Sequence, residues 1–264
     1  PKLKQIVRSG LTDTAGPDDE KVEIKPEKRK ASELVPTQSQ IGTGQSLNDQ
    51  AGDKYGNLDR AIKGGKLASA QGEFPILVYK NYVLDGHHRW SQFITTNPEA
   101  TVDVVNVIAP GIKDEKGALA LLHYMNFALF GKSPTKDFKG ENVYDLDAEQ
   151  IKTQALENMA DTTADKLFAA KLIPTPTPEA AATHFANNLS AIPGPGNYPR
   201  LKMPQPGDAG SDDGFATTPK GAGDGAVNYL NPVPGDIKES KNLMSISKGR
   251  LQQIIKEELA NRRK

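Results

Sequence analysis

Residues 75–94 constrain the fold more than any other part of the sequence. Two apolar, β-branched runs, 76–79 and 82–84, are separated by two residues that suit a tight turn, and this pattern predicts a β-hairpin. After Gly86 the apolar residues, beginning with Trp90, follow helical spacing. The sequence therefore predicts a hairpin whose second strand passes through a glycine turn directly into a helix.

Further strands and helices are predicted on both sides of this unit. A β-branched run predicts a strand at 101–108, and 33–36 predicts a short strand that enters a turn. Helical spacing predicts helices at residues 57–63, 113–130, 148–160, 163–172 and 178–190. This order of elements predicts an α+β fold, in which a small mixed sheet with helices is followed by helical and extended C-terminal additions.

Composition indicates how much of the chain such a core can use. The 264 residues include 24 glycines and 19 prolines. Together these two residue types take a larger share of the chain than the average of roughly 12%. We therefore expect one compact domain accompanied by extended segments. The expected divisions are an N-terminal arm (1–31), an α/β domain (32–130), a helical extension (131–190), a Pro/Gly-rich linker (191–246) and an amphipathic C-terminal helix (247–264).

The predicted C-terminal helix has one apolar stripe and a basic tip. The stripe consists of Leu251, Ile254, Ile255 and Leu259. A lone helix of this length is marginal in water, because most helical stability in proteins comes from packing the apolar side. We therefore expect this helix to dock on the domain or on another protein chain, and its basic tip favours another chain.

The charge balance and the missing cysteines exclude several classes of protein. With 33 basic and 33 acidic residues the net charge is zero, which disfavours a polybasic coat for DNA, although nucleic-acid binding through the basic C-terminal helix stays an alternative. Because there is no cysteine, disulfide scaffolds, cysteine-ligated zinc, iron–sulfur clusters and thiol catalysis are excluded. No apolar run approaches the roughly 20 residues that cross a bilayer, so we expect no membrane partner and a cytoplasmic location.

The most informative motif is the glycine turn, Asp85-Gly86-His87-His88-Arg89. The N–H groups that begin a helix have no partner within it, and together with the helix dipole they favour anions. Two histidines and an arginine add side-chain donors there, and an arginine can hold a phosphate with two parallel hydrogen bonds. The motif predicts a phosphate site; the alternative is that Asp85 caps the helix and the histidines are ordinary turn residues.

This motif resembles the signature of the ParB/sulfiredoxin superfamily, in which a D-G-x-H-R-like turn follows a hairpin. The upstream stretch 32–38 lies where that family has its first strand and proline-containing turn, so the resemblance covers about residues 30–110. Phage-encoded ParB-like proteins resemble the arrangement most closely. The resemblance implies a small α/β fold that binds nucleotide phosphates at the turn.

The activities of that superfamily differ, and the resemblance implies only some of them. Sulfiredoxins carry a catalytic cysteine where this chain has His87, which excludes sulfinic-acid reduction, and no helix-turn-helix reader of partition proteins is visible after residue 113. The resemblance implies phosphoryl transfer or hydrolysis with ATP, ADP or CTP and Mg²⁺. It nominates Glu33 and His87 as catalytic residues, and Thr37 and Gln38 as further phosphate-binding residues beside Asp85, Gly86, His87, His88 and Arg89.

Three further hypotheses concern the rest of the chain. The glycine-containing loop 41–56 has no P-loop pattern and is interpreted as a lid over the phosphate site. His123 and His184 are interpreted as packed histidines and not as metal ligands. Finally, the Pro/Gly-rich stretch and the amphipathic ends allow a different function, that of a phage structural protein, located in the virion, that uses a ParB-like domain as an interaction module.

Overall fold

The computed structural model describes residues 23–69, 72–109, 112–130 and 137–203. The first part of the predicted N-terminal arm, most of the predicted linker and the whole predicted C-terminal helix lie outside these residues. Within them, the fold is α+β, as the sequence predicts, with a mixed five-stranded sheet at its centre. No helix of the described part is both long and apolar enough to cross a membrane.

The strands confirm the predicted hairpin and the strand at 101–108. In chain order they are β1 (Glu23–Lys30), β2 (Val35–Pro36), β3 (Leu67–Ser69), β4 (Gly72–Phe74), β5 (Ile76–Tyr79), β6 (Tyr82–Asp85) and β7 (Thr101–Ile108). The central sheet has the order β1-β7-β5-β6-β2, while β3 and β4 pair as a separate ribbon. The hairpin partners β5 and β6 are antiparallel, whereas β2 runs parallel to β6 and β5 runs parallel to β7.

The arm predicted over 1–31 does not extend to residue 31, because β1 belongs to the sheet. It pairs antiparallel with β7 over eight residues, from Glu23 opposite Ile108 to Lys30 opposite Thr101. Its charged residues gave no strand pattern in the sequence, since an edge strand needs few apolar side chains. Charges and a proline, here Pro26, are features that protect an exposed sheet edge from pairing with other chains.

Except for one short helix within the predicted 41–56 loop, the helices of the described residues lie close to their predicted positions. They are α1 (Asp49–Ala51), α2 (Asn57–Lys63), α3 (His87–Thr96), α4 (Glu115–Phe130), α5 (Ala148–Asn158), α6 (Thr163–Ala169) and α7 (Pro178–Ser190). Local chemistry explains several of their ends. Asp147 and Gln150 form a reciprocal cap at the start of α5, and Thr177 caps α7 before a proline in its first turn, the position where proline costs a helix nothing.

Helices cover both faces of the sheet. On one face, Val78 and Val83 pack with Trp90 and Phe93 of α3 in the larger cluster of buried residues. On the other face, the sheet packs against the buried residues of α4. The Trp90 Nε1–H donates a hydrogen bond of 3.1 Å to the Ala31 carbonyl, so α3 is joined to the segment that precedes β2.

The helical extension is part of the same core and not a separate addition. Ile151 of α5, Leu167 of α6 and Phe185 of α7 lie in the cluster that contains Trp90, and each is fully or almost fully buried. The Thr163 hydroxyl also donates to the Ala51 carbonyl at 2.7 Å. The predicted boundary at residue 131 therefore does not divide two independently packed units.

The lid predicted at 41–56 is a packed helical segment. A π-helical turn, Gly44–Asn48, continues into α1, and Leu47 and Gln50 are fully buried. The Gln50 amide donates to Gln92 of α3 at 2.8 Å. The glycines suggested a mobile loop in the sequence, but these tertiary hydrogen bonds fix the segment against α3.

One glycine pair gives a direct test of this fold. Gly64 and Gly65 both have positive φ, but a Cβ at 64 would lie 2.2 Å from the Thr101 carbonyl oxygen, whereas a Cβ at 65 meets open space. We expect Gly65→Ala to cost about 1–2 kcal/mol, the price of a left-handed conformation. Gly64→Ala should cost about 1–3 kcal/mol more, because it also forces an atom into occupied space. Urea unfolding measures both, and equal losses would contradict the register of Gly64 beside β7.

Candidate functional site

The predicted phosphate turn joins β6 to α3. Gly86 has φ of 93°, a left-handed conformation that glycine adopts without the cost other residues incur. The first hydrogen bond of the helix runs from Trp90 N to Gly86 O at 2.9 Å. The N–H groups of His87, His88 and Arg89 therefore precede the helical ladder, as expected for a helix start.

The Arg89 guanidinium is folded back over Gly86. A Cβ on residue 86 would lie 2.7 Å from Arg89 Nη2 and 3.0 Å from its Nε, so only glycine leaves room for this position. Nη2 makes a long contact of 3.4 Å with Asp85 Oδ2, and the guanidinium lies 5.8 Å from the ring centroid of Phe74. Its Nε is buried and has no hydrogen-bond partner among the described residues.

His87 points inward and not toward a ligand. It is 4% exposed, and its Nε2 accepts hydrogen bonds from the backbone N–H groups of Thr37 at 3.2 Å and Gln38 at 3.1 Å. Nε2 is therefore unprotonated, and the ring of the neutral histidine carries its proton on Nδ1. His87 thus connects the start of α3 to the loop that follows β2.

The pKa of His87 is lowered to about 3, chiefly by burial and then by electrostatic interaction with His88, Arg200 and Arg89 in that order, against an opposing hydrogen bond to the Val83 backbone. The imidazole is consequently neutral at physiological pH. This protonation state matches its hydrogen bonds, because a protonated ring has no lone pair with which to accept from two backbone N–H groups.

His88 makes a similar connection one residue further along. Its Nε2 accepts from the Gly42 N–H at 3.2 Å, and a Cβ at residue 42 would lie 3.5 Å from that nitrogen. The side chain is only partly buried. His88 therefore ties the segment that leads into the π-helical turn to the first turn of α3.

The structure brings Thr37 and Gln38 to the turn, but their donors are used within the protein. The Thr37 hydroxyl donates to the Val83 carbonyl at 2.6 Å, and the Gln38 side chain donates to the Gln40 carbonyl. Both residues are 2% exposed. They fix the loop beside His87, and their role as phosphate ligands stays a prediction.

Glu33, which the resemblance nominates as a catalytic residue together with His87, does not lie with the turn. Val35 pairs with Tyr82, at the start of β6, whereas the turn follows the end of that strand. Glu33 lies two residues before Val35, is exposed, and accepts a hydrogen bond from Lys30 N at 3.3 Å. A residue before a short strand gives no sequence signal of which end of the neighbouring strand it will face.

The sequence interpretation missed a segment that covers this loop. The Pro/Gly composition predicts a linker at residues 196–203, but Gly196 N donates to Gln38 O at 3.1 Å and Tyr198 N donates to Thr37 O at 3.1 Å. Ser39 N in turn donates to Tyr198 O at 2.8 Å. The segment therefore forms an isolated parallel bridge with the loop after β2, outside the five-stranded sheet, and the Pro/Gly composition that suggested a linker is compatible with an extended segment that pairs in this way.

Arg200 follows this pairing directly. Its backbone N–H donates to the Gln40 side chain at 3.0 Å, and its charge is among those that act on His87. Further along, the Lys202 carbonyl accepts from His123 Nε2 at 2.8 Å, and Met203 is 2% exposed in the core beneath α4. No local pattern in the sequence distinguishes Arg200 from a solvated linker residue.

The two remaining histidines have structural partners. His123 is partly exposed and is held by the Lys202 carbonyl, so it is not packed inside α4 as predicted. His184 Nε2 donates to the Thr96 carbonyl at 2.7 Å, and burial lowers the pKa of His184. His184 is therefore a half-buried histidine that connects α7 to the end of α3.

In the described ranges, no group of three or more His, Asp or Glu side chains is placed to hold a metal ion. Two clefts, of about 250 and 510 Å³, lie near β1, α2 and Asp103 and are not lined by residues of the turn.

A scan against protein-family models, a search of curated proteins and a search of solved structures each found no match.

The role of His87 as a hydrogen-bond acceptor can be tested by two substitutions. His87→Leu leaves the N–H groups of Thr37 and Gln38 without an acceptor, and each buried donor left unpaired costs about 1–3 kcal/mol. His87→Gln keeps an acceptor oxygen at a similar distance and should be less destabilising. The free energy of unfolding, measured with urea, should therefore be lowest for the leucine variant; equal losses would contradict the acceptor role.

The same histidine predicts a pH dependence of stability. In the unfolded chain His87 protonates near its usual pKa of about 6.5, whereas in the fold it stays neutral down to a pKa of about 3. Unfolding therefore takes up a proton between these values, so this contribution is fully present above pH 6.5 and is lost as the pH falls toward 3, by up to about 1.4 kcal/mol per pH unit. The stability difference between wild type and His87→Gln should shrink between pH 7 and pH 4; a constant difference would contradict a buried neutral imidazole.

Proposed function

We propose that this protein binds the phosphate groups of a nucleotide at the turn formed by residues 85–89. The observation that carries the proposal is the position of Arg89. Its guanidinium lies over Gly86 at the start of α3, and its Nε is buried without a hydrogen-bond partner among the described residues. A buried donor in that state requires an explanation, and a bound water or ion is one of the usual ones.

The surroundings of Arg89 support an anion as that partner. The N–H groups of His87, His88 and Arg89 precede the helical ladder of α3, and the positive end of the helix dipole lies there. The contact from Arg89 to Asp85 is long, at 3.4 Å, and both side chains are partly exposed. A pair of this kind contributes at most about 1 kcal/mol, which a phosphate with two charge-assisted hydrogen bonds can exceed.

The choice of a nucleotide rests on the resemblance of the motif to the ParB/sulfiredoxin superfamily, which implies ATP, ADP or CTP with Mg²⁺. Asp85 is the carboxylate that the turn itself supplies, and Mg²⁺ sites with nucleotides commonly use one or two carboxylates together with phosphate oxygens. Asp85 therefore fits a magnesium ion that arrives with the nucleotide and would neutralise phosphate charge. Phosphoryl transfer and hydrolysis stay predictions, because Glu33 and His87, the two nominated catalytic residues, are not placed together.

Nucleotide binding is tested by calorimetry with ATP, ADP and CTP, each with and without magnesium. Arg89→Ala should weaken binding by about 1.5–3 kcal/mol, the range for a hydrogen bond to a charged group. The matched control is Arg60→Ala, which removes an arginine that pairs with Glu73 away from the turn and should leave binding unchanged. Unchanged binding in Arg89→Ala, or equal losses in both variants, would contradict a site at the turn.

A second candidate function is that of an interaction module in a structural protein, such as a phage particle protein. It is favoured by Val35 and Tyr82, which are opposite each other in the β2–β6 register and are 39% and 36% exposed. Neighbouring exposed apolar side chains at a sheet edge suit contact with another protein. Wild-type protein that binds none of the three nucleotides would favour this function over the first.

A further inference from the structure

We propose that Arg200 is a second anion-binding residue of the same site, supplied by the extended segment 196–203, and that the two arginines together select a polyphosphate. This inference rests on the proposed function, since it concerns the ligand bound at the turn. It adds a binding residue that lies far from the motif in sequence, and it assigns to the two arginines the recognition of at least two adjacent phosphates of the ligand.

The backbone of Arg200 is fixed on both sides. On its N-terminal side, Gly196 and Tyr198 are hydrogen-bonded to Gln38 and Thr37. These two residues are also the ones that donate backbone hydrogen bonds to His87. At Arg200 itself, the N–H donates to the Gln40 side chain at 3.0 Å. The position of Arg200 thus depends on the same loop that His87 fixes beside the turn.

The chain after Arg200 is anchored as well. The Lys202 carbonyl accepts from His123 of α4 at 2.8 Å, and Met203 is buried against the sheet. An arginine placed between two anchored stretches loses less conformational entropy on binding a ligand than one on a free tail, because its backbone is already ordered.

Electrostatics also links Arg200 and Arg89 to the same buried side chain. Both guanidinium groups act on the buried imidazole of His87, as does His88, while Asp85 supplies the carboxylate of the turn. Two positive charges that act on one buried group make its surroundings electropositive, which favours a bound anion there. Arginine recognises phosphate with its planar fork of donors, so two such groups fit two adjacent phosphates better than one.

A third observation indicates that this segment is built to lie close to the loop. A Cβ at residue 196 would lie 2.1 Å from the carbonyl carbon and oxygen of Thr37, whereas a Cβ at residue 194 has no atom within 4 Å. The chain therefore needs glycine at 196 for the approach that brings Arg200 to the turn, and glycine at 194 has no such role.

The first experiment compares Arg200→Ala with Lys202→Ala, which removes an exposed cation two residues away whose side chain has no assigned role. ATP, with magnesium, is the probe in calorimetry. We expect Arg200→Ala to weaken ATP binding at least tenfold and Lys202→Ala to change it less than twofold. Equal losses of ATP affinity in the two variants would show that Arg200 acts only through its general positive charge, and this result would overturn the inference.

Pyrophosphate and inorganic phosphate test the selection of a polyphosphate. Wild type should bind pyrophosphate at least tenfold more tightly than inorganic phosphate, and Arg200→Ala should reduce this ratio to within about threefold. A ratio unchanged by Arg200→Ala would overturn the second half of the inference.

Gly196→Ala, with Gly194→Ala as its control, tests the placement of the segment without altering a charge. Gly196→Ala should weaken ATP binding as much as Arg200→Ala does, while Gly194→Ala should match wild type. The Arg200→Ala result stands by itself if Gly196→Ala fails to fold. If Arg89→Ala loses ATP and Arg200→Ala does not, this inference fails and the proposed function stands; if wild type binds no nucleotide, the proposed function itself fails.

Discussion

The neutral imidazole of His87 is the interaction on which the candidate site depends. Because it accepts hydrogen bonds from the backbone N–H groups of Thr37 and Gln38, it fixes the loop that contains them beside the first turn of α3. That loop then offers its carbonyl groups to the extended segment 196–198. One buried lone pair therefore connects three parts of the chain, and burial itself keeps the ring in the only protonation state that can make the connection.

The remainder of the fold supports this arrangement from behind. Helix α3 is buried on most sides, since it packs against the sheet, the π-helical turn and α7. Its polar residues find partners on those neighbours, as Gln92 does with Gln50 and as the Thr96 carbonyl does with His184. Because α3 is packed on several sides, its N-terminus has a fixed position, and a binding turn requires such a fixed position.

Local patterns were sufficient to predict the hairpin, the glycine turn and most helices, because those elements are set by periodicity and turn chemistry within a few residues. They were insufficient for β1, whose charged residues form a strand only because they pair with β7. They were also insufficient for 196–203, because its proline and glycine content is typical of a linker and its pairing with Thr37 is a tertiary contact. The site shows the same division. The turn could be predicted from its motif, whereas the inward direction of His87 and the distance of Glu33 from it follow from tertiary pairing that no short window contains.

The pairing of residues 196–198 with the loop after β2 also sets an order of events during synthesis. Thr37 leaves the ribosome about 160 residues before its partner, which at roughly 5–20 residues per second is a delay of about 8–32 seconds. During that interval the backbone groups of residues 37–39 that bond to this segment have no partner from it, and unpaired extended backbone invites pairing with other chains. Translation speed and chaperone access over this stretch would then influence the yield of native protein without changing a single native contact.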